Sequence, residues 1–157
     1  MKNRSYFITK AALIAAFYVA LTLVSNLLGL ASGVIQVRLS EVLTVLPAFM
    51  PAAIPGLFVG CLIANLLCGN MLVDVIFGSL ATLLGAIGTY YFGKTKWTAP
   101  IFPIISNTVI IPFILKYVYG ISGSIWFFAL TVFIGEFISC GVLGALIFDK
   151  LKKLNKG

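Results

Sequence analysis

The sequence predicts an all-α polytopic membrane protein: one domain over residues 1–157, a bundle of six transmembrane helices with both termini cytoplasmic. Three observations carry this reading. Hydrophobic residues make up 61% of the chain and charged residues 10%, against about 45–50% and about 25% in a soluble domain. Mean hydropathy is +1.14, so a water-soluble fold of this length would leave large apolar surfaces wet. The charge-free runs 11–37, 42–73, 75–93, 97–115, 117–135 and 137–148 supply the roughly 20 apolar residues that each crossing of a bilayer needs.

Each helix follows from these runs and their breakers. The first covers about Ile8 to Leu28, too long for the apolar core of a signal peptide. Gly29 to Gly33 reads as a loop. The 42–73 run is too long for one helix and contains Pro47, Pro51 and Pro55, which interrupt helical hydrogen bonding. It divides into a short second helix, about Leu39 to Phe49, and a third, about Pro55 to Leu67. A turn at Cys68-Gly69-Asn70 leads to the fourth helix, about Met71 to Phe92. The fifth spans about Ala99 to Val118 and the sixth about Ile125 to Phe148.

Basic residues set the orientation. Lys2, Arg4 and Lys10, then Lys94 and Lys96, then Lys150, Lys152, Lys153 and Lys156 form three clusters. Clustered Lys and Arg mark cytoplasmic segments, and an even number of spans places all three inside. The net charge of +7 therefore reflects membrane orientation, not a nucleic-acid surface. Lys116 reads as a snorkelling helix end. The aromatic residues Tyr117, Tyr119, Trp126, Phe127 and Phe128 read as an interfacial belt or as stacking partners for a flat ring.

Several chemistries are excluded. The chain has no His, and Cys61, Cys68 and Cys140 lack metal-ligand spacing, so they read as small packing residues. Nothing calls for a cofactor or a metal. Gly88 to Thr95 matches the phosphate-binding pattern G-x-x-x-x-G-K-[ST], but it ends an apolar helix and encloses Tyr90-Tyr91-Phe92. A nucleotide loop must instead join a strand to a helix, so the chain is not expected to hydrolyse ATP. Small residues recur at four-residue spacing at Ala12, Ala16 and Ala20, at Gly56, Gly60 and Ala64, and at Gly78, Thr82 and Ala86. Such faces let helices approach closely. The last two sets suit packing within the chain; the first suits either that or a partner protein.

The informative polar residues lie at membrane depth. Arg38 and Glu41 begin the second helix, three residues apart; Asp74 begins the fourth; Glu136 sits near the middle of the sixth. Asn65 and Asn107 add amides. A charge buried in the bilayer costs at least ~2.5–3.5 kcal/mol on insertion scales and normally faces the bundle interior or a wet cavity. Three carboxylates against one or two bases suit a ligand rich in N–H donors or positively charged. Arg38 is expected either to orient Glu41 or to donate to the ligand.

Two polar and proline-rich segments carry a resemblance. The run Val34-Ile35-Gln36-Val37-Arg38-Leu39-Ser40-Glu41, continuing to Pro47, and the run Pro51 to Asn65 resemble the QueT family, as does Asp74 to Leu83. The resemblance covers roughly residues 8–150. It implies a substrate-binding (S) component of an energy-coupling factor transporter. The expected ligand is a queuosine precursor, a 7-deazaguanine base such as 7-aminomethyl-7-deazaguanine. Implied partners are a transmembrane T component and two ABC-type ATPases, with docking through Ala12, Ala16 and Ala20. The expected substrate site comprises Glu41, Asp74, Arg38, Asn65, Glu136 and Asn107; the sixth helix carries no family signature, so Glu136 enters on its burial cost alone. Other flat heterocycles, or a stand-alone channel, are the competing functions.

Overall fold

The computed structural model describes residues 2–31 and 35–154. Part of the expected first outer loop (32–34, including Val34) and Lys156 lie outside the described residues. The described residues hold no strand. Helix α1 covers Lys2–Leu27. A 3₁₀ segment, Leu39–Ala48, follows, then α2 (Ala53–Leu67), α3 (Leu72–Phe92) and α4 (Ile101–Tyr117). The described residues finish in one continuous rod: α5 (Ile125–Glu136), a π-helical segment (Phe137–Leu143) and α6 (Gly144–Leu154). The expected third, fourth and fifth helices are α2, α3 and α4; the sixth is the whole rod.

Three stretches, Arg4–Leu27, Leu72–Phe92 and Ile125–Lys153, are long and apolar enough to cross a bilayer unaided. The outward faces carry exposed Leu13, Phe17, Ile76, Leu84, Val109 and Leu130, the surface a lipid-embedded bundle presents. The expected second helix is 3₁₀ rather than α. At about 2.0 Å rise per residue its ten residues reach about 20 Å, against about 15 Å for an α-helix of equal length. Its weaker backbone ladder is enclosed: Ser40, Glu41, Val42, Thr44, Val45 and Pro47 are all buried. Irregular backbone at membrane depth is tolerated only inside such protein walls.

Side-chain contacts order the elements end to end. The Lys96 ammonium meets Asp149 Oδ2 at 2.7 Å, and Phe49 packs on Phe148 with ring centroids 4.7 Å apart. The start of α2, the α3–α4 turn and α6 thus share one end, where the basic residues gather. At the other end, the Asn26 amide donates to Cys68 Sγ (2.7 Å) and the Tyr119 hydroxyl to Asp74 Oδ2 (2.8 Å). Helices α1 and α2 terminate there in matching caps. Gly69, at φ +75, donates to Leu66 O while Asn70 N donates to Asn65 O. Gly29, at φ +71, does the same with Asn26 O, and Leu30 N with Ser25 O. This paired bonding is the Schellman arrangement, whose left-handed position favours glycine.

The small-residue stripes are packing surfaces, but α1 splits in two. A Cβ on Gly56 would lie 2.7 Å from Ala11 O, and one on Gly60 would lie 2.8 Å from Tyr18 Cβ and 3.0 Å from Ala15 Cα. Ala11 and Ala15 therefore face α2. Ala12, Ala16 and Ala20 are exposed on another face. Helices α3 and α4 close equally tightly, since a Cβ on Gly85 would sit 2.7 Å from Pro103 Cα.

Candidate functional site

The polar residues converge at the end opposite the basic cluster, in two adjoining spaces. An outer vestibule of about 200 Å³ is lined by Asn26, Arg38, Asn65, Asn70, Asp74 and Tyr119, among others. An inner chamber of about 40 Å³ is lined by Gln36, Arg38, Glu41, Thr82, Asn107, Thr131 and Glu136, with apolar Ile111 and Leu115. Gln36, Arg38, Ile111 and Leu115 border both spaces. All six residues expected at the site are brought together there.

Glu41 is 2% exposed. Its Oε1 accepts a short hydrogen bond from the Tyr18 hydroxyl, while its Oε2 is buried without a partner. An unsatisfied buried acceptor costs about 1–3 kcal/mol, more when charged, and native structures rarely leave one without a functional reason. Glu136, 9% exposed, has both oxygens engaged. Asn107 Nδ2 donates to Oε1 at 3.0 Å and the Cys140 thiol to Oε2 at 3.2 Å. The π segment begins immediately after Glu136. Insertions of this kind recur at functional sites because they re-aim the flanking side chains.

Asp74, 6% exposed, faces the vestibule. The Tyr119 hydroxyl donates to it and itself accepts from Met71 N at 3.3 Å. Burial, then the bond to Asp74, raises the Tyr119 hydroxyl above its ordinary pKa, keeping it a donor. Asn65 is buried; its Oδ1 accepts from Asn70 Nδ2 at 3.1 Å and from Arg38 Nη1 at 3.5 Å.

Arg38 forms no ion pair with Glu41. Arg38 caps the 3₁₀ segment in an extended conformation, φ −103 and ψ 110. Helical three-residue adjacency therefore does not apply, and the guanidinium turns to Asn65. Lys96–Asp149 is the one ion pair among the described residues, so Arg38 lies beyond 4.0 Å from every carboxylate oxygen.

Tyr18 and Thr131 join the site without a sequence signal, since each looks like an ordinary residue in an apolar run, whereas Gln36 joins it from the first of the two polar segments. Tyr119 was legible only as part of an aromatic belt. Tyr117, Trp126 and Phe127 are exposed, whereas Phe128 is buried. Gly88 to Thr95 spans the end of α3 and its turn, with no strand before it, and Tyr91 and Phe92 are exposed.

For a metal, the one candidate grouping among the described residues is Glu41, Glu136 and Cys140, each offering one ligand atom within 4.8 Å of the others. Cys140 Sγ is already shared between Glu136 Oε2, the Glu41 carbonyl and Thr44 Oγ1. A larger space of about 590 Å³ lies between α4 and the rod at the basic end. Its walls are mostly apolar, Ile101, Ile104, Phe133, Phe137, Val142 and Leu146 among them, and its two charged side chains, Lys96 and Asp149, are paired with each other. The two polar spaces fall below the ~300–1,000 Å³ of drug-sized pockets and suit one small, flat, polar molecule.

A sequence profile of the QueT transporter family matches residues 8–153. The queuosine precursor transporter QueT of Lactococcus lactis subsp. cremoris is 33% identical over 168 residues, covering 97% of this chain and 95% of that relative. No solved structure matches. A profile spanning nearly the whole chain, with a relative matched end to end, shows a multi-pass membrane protein of a transporter family, not an enzyme: the chain belongs to the QueT transporter family.

Proposed function

We propose that this chain is the substrate-binding component of an energy-coupling factor transporter in the cell membrane. It takes up a queuosine precursor, a 7-deazaguanine base such as 7-aminomethyl-7-deazaguanine, from outside. The observation that carries the reading is the unpartnered Glu41 Oε2 beside a polar cavity in an apolar bundle. A guanine-type edge offers adjacent N–H and NH₂ donors, which an acceptor-rich pocket satisfies. The site is Glu41, Asp74, Arg38, Asn65, Glu136 and Asn107, and Arg38 donates to the ligand carbonyl. The name of the Lactococcus relative points to the same class of ligand.

Six crossings with both termini cytoplasmic fit the end-to-end order of the elements. Arg4, Lys10, Lys94, Lys96, Lys150, Lys152 and Lys153 fall at one end and the cavity at the other, as the positive-inside tendency requires of a site open to the exterior. The exposed Ala12, Ala16 and Ala20 stripe is the docking face for a transmembrane T component, which brings two ABC-type ATPases. Small side chains let a partner helix approach. Mass spectrometry of small molecules released from the purified protein tests the ligand, with a deazaguanine base expected. A different heterocycle would replace the substrate assignment, and failure to co-purify any T component from membranes would remove the partner assignment.

A further inference from the structure

Glu41 and Glu136 approach each other at the inner chamber, which both line. One oxygen of each lies within 4.8 Å of the other and of Cys140 Sγ, and both residues are buried. The groups facing the pair are Tyr18 from α1, Asn107 from α4 and Cys140 from the π segment, all uncharged donors, with Arg38 at the chamber's edge and Asp74 in the vestibule; Cys61 from α2, which accepts from Asn65 and Thr82, packs in the same core cluster as Tyr18. Arg38 offsets one negative charge from beyond ion-pair distance. Two carboxylates this close, out of water, repel unless a proton or a cation compensates them.

The chamber that both line, about 40 Å³, has room for one water-sized group, whose share of liquid volume is about 30 Å³. It cannot admit a ring, which the vestibule of about 200 Å³ can. An ammonium head is of the right size and brings several donors to the spare Oε2. From this geometry we infer that the Glu41–Glu136 pair is a cation subsite: empty, it holds one shared proton, and it releases that proton when an organic ammonium group of the ligand enters. The exchange balances. The proton leaves to water, one positive charge replaces another, and both carboxylates are then ionised around the ammonium. This rests on the cavity being the substrate site, and it assigns the cationic end of the ligand to the inner pair and not to Asp74, which already has Tyr119.

Infrared spectroscopy of ligand-free protein at neutral pH should show a protonated-carboxyl band, absent in Glu136→Gln, where Glu41 no longer has a carboxylate to share with. Adding 7-aminomethyl-7-deazaguanine should remove the wild-type band. Calorimetry in two buffers of different ionisation enthalpy should return one proton released per ligand. 7-Deazaguanine, which lacks the amine, should leave the band in place. Methylammonium, small enough for the inner chamber, should remove it at high concentration without any heterocycle. No carboxyl band in the wild type, or a band indifferent to both amines, would overturn the subsite. A band removed by methylammonium in a protein that binds neither deazaguanine would support the subsite and count against the substrate reading alone.

Discussion

The cavity around Glu41 and the outer alanine stripe of α1 are built from opposite physics. At the cavity, three buried carboxylates, amides and hydroxyls converge, with Glu41 and Glu136 placed by irregular backbone and one acceptor left open. On the stripe, Ala12, Ala16 and Ala20 offer no polar group on a regular helix, exposed where their neighbours Ala11 and Ala15 are sealed against Gly56 and Gly60. The first region recognises a small molecule by chemistry; the second suits another helix by shape. Changes to the two should therefore separate ligand binding from transport.

The largest effect is expected at the sealed face. In Gly60→Leu, a side chain must grow where a Cβ alone already meets Tyr18 and Ala15 at 2.8–3.0 Å. Overpacking of this kind costs about 1–3 kcal/mol or more. It would also push on Tyr18, so thermal stability and ligand binding should fall together. Ala16→Trp, one face round the same helix, should abolish uptake while leaving affinity within about two-fold of wild type, because the ring blocks only an approaching partner. Loss of both in Ala16→Trp would return that stripe to internal packing.

Smaller effects grade the two chambers. Asp74→Asn keeps an oxygen for Tyr119 and should weaken binding only a few-fold, about 1 kcal/mol for one altered hydrogen bond. Equal losses at Asp74 and Glu41 would erase the distinction between vestibule and inner chamber. The smallest effect belongs to Lys94→Ala. It should leave uptake within a few-fold of wild type, since Lys94 lies in an exposed turn after α3 and not in a nucleotide loop.

Much of this was legible in the sequence because the bilayer simplifies the problem. Apolar runs broken by Pro47, Pro51, Pro55 and the Gly69 turn place the helices, although α1 starts earlier than expected, at Lys2, and the last rod runs on to Leu154. Charges at membrane depth are costly enough that Arg38, Glu41, Asp74 and Glu136 announce a polar interior. Backbone type was not legible. The 3₁₀ form of Leu39–Ala48 and the π segment after Glu136 arise from how these elements nest, with a Cβ on Gly144 reaching within 3.0 Å of Val45 Cγ1. Nor could periodicity divide α1. Ala11 and Ala15 differ from Ala12 and Ala16 only in facing the two glycines of α2. Tyr18 joined Glu41 through a contact 23 residues away in sequence, which a local pattern does not encode.

Calorimetric titration of ligand-free protein with 7-aminomethyl-7-deazaguanine, wild type against Glu41→Gln, tests the central claim most directly. Glu41→Gln keeps an oxygen for Tyr18 but replaces the open acceptor with a donor, removing a charge-assisted bond of ~1.5–3 kcal/mol. With ~1.4 kcal/mol per decade, affinity should drop by about ten-fold or more in a variant whose thermal unfolding matches the wild type. Unchanged affinity in a folded Glu41→Gln protein would contradict the account and move the site away from the inner chamber.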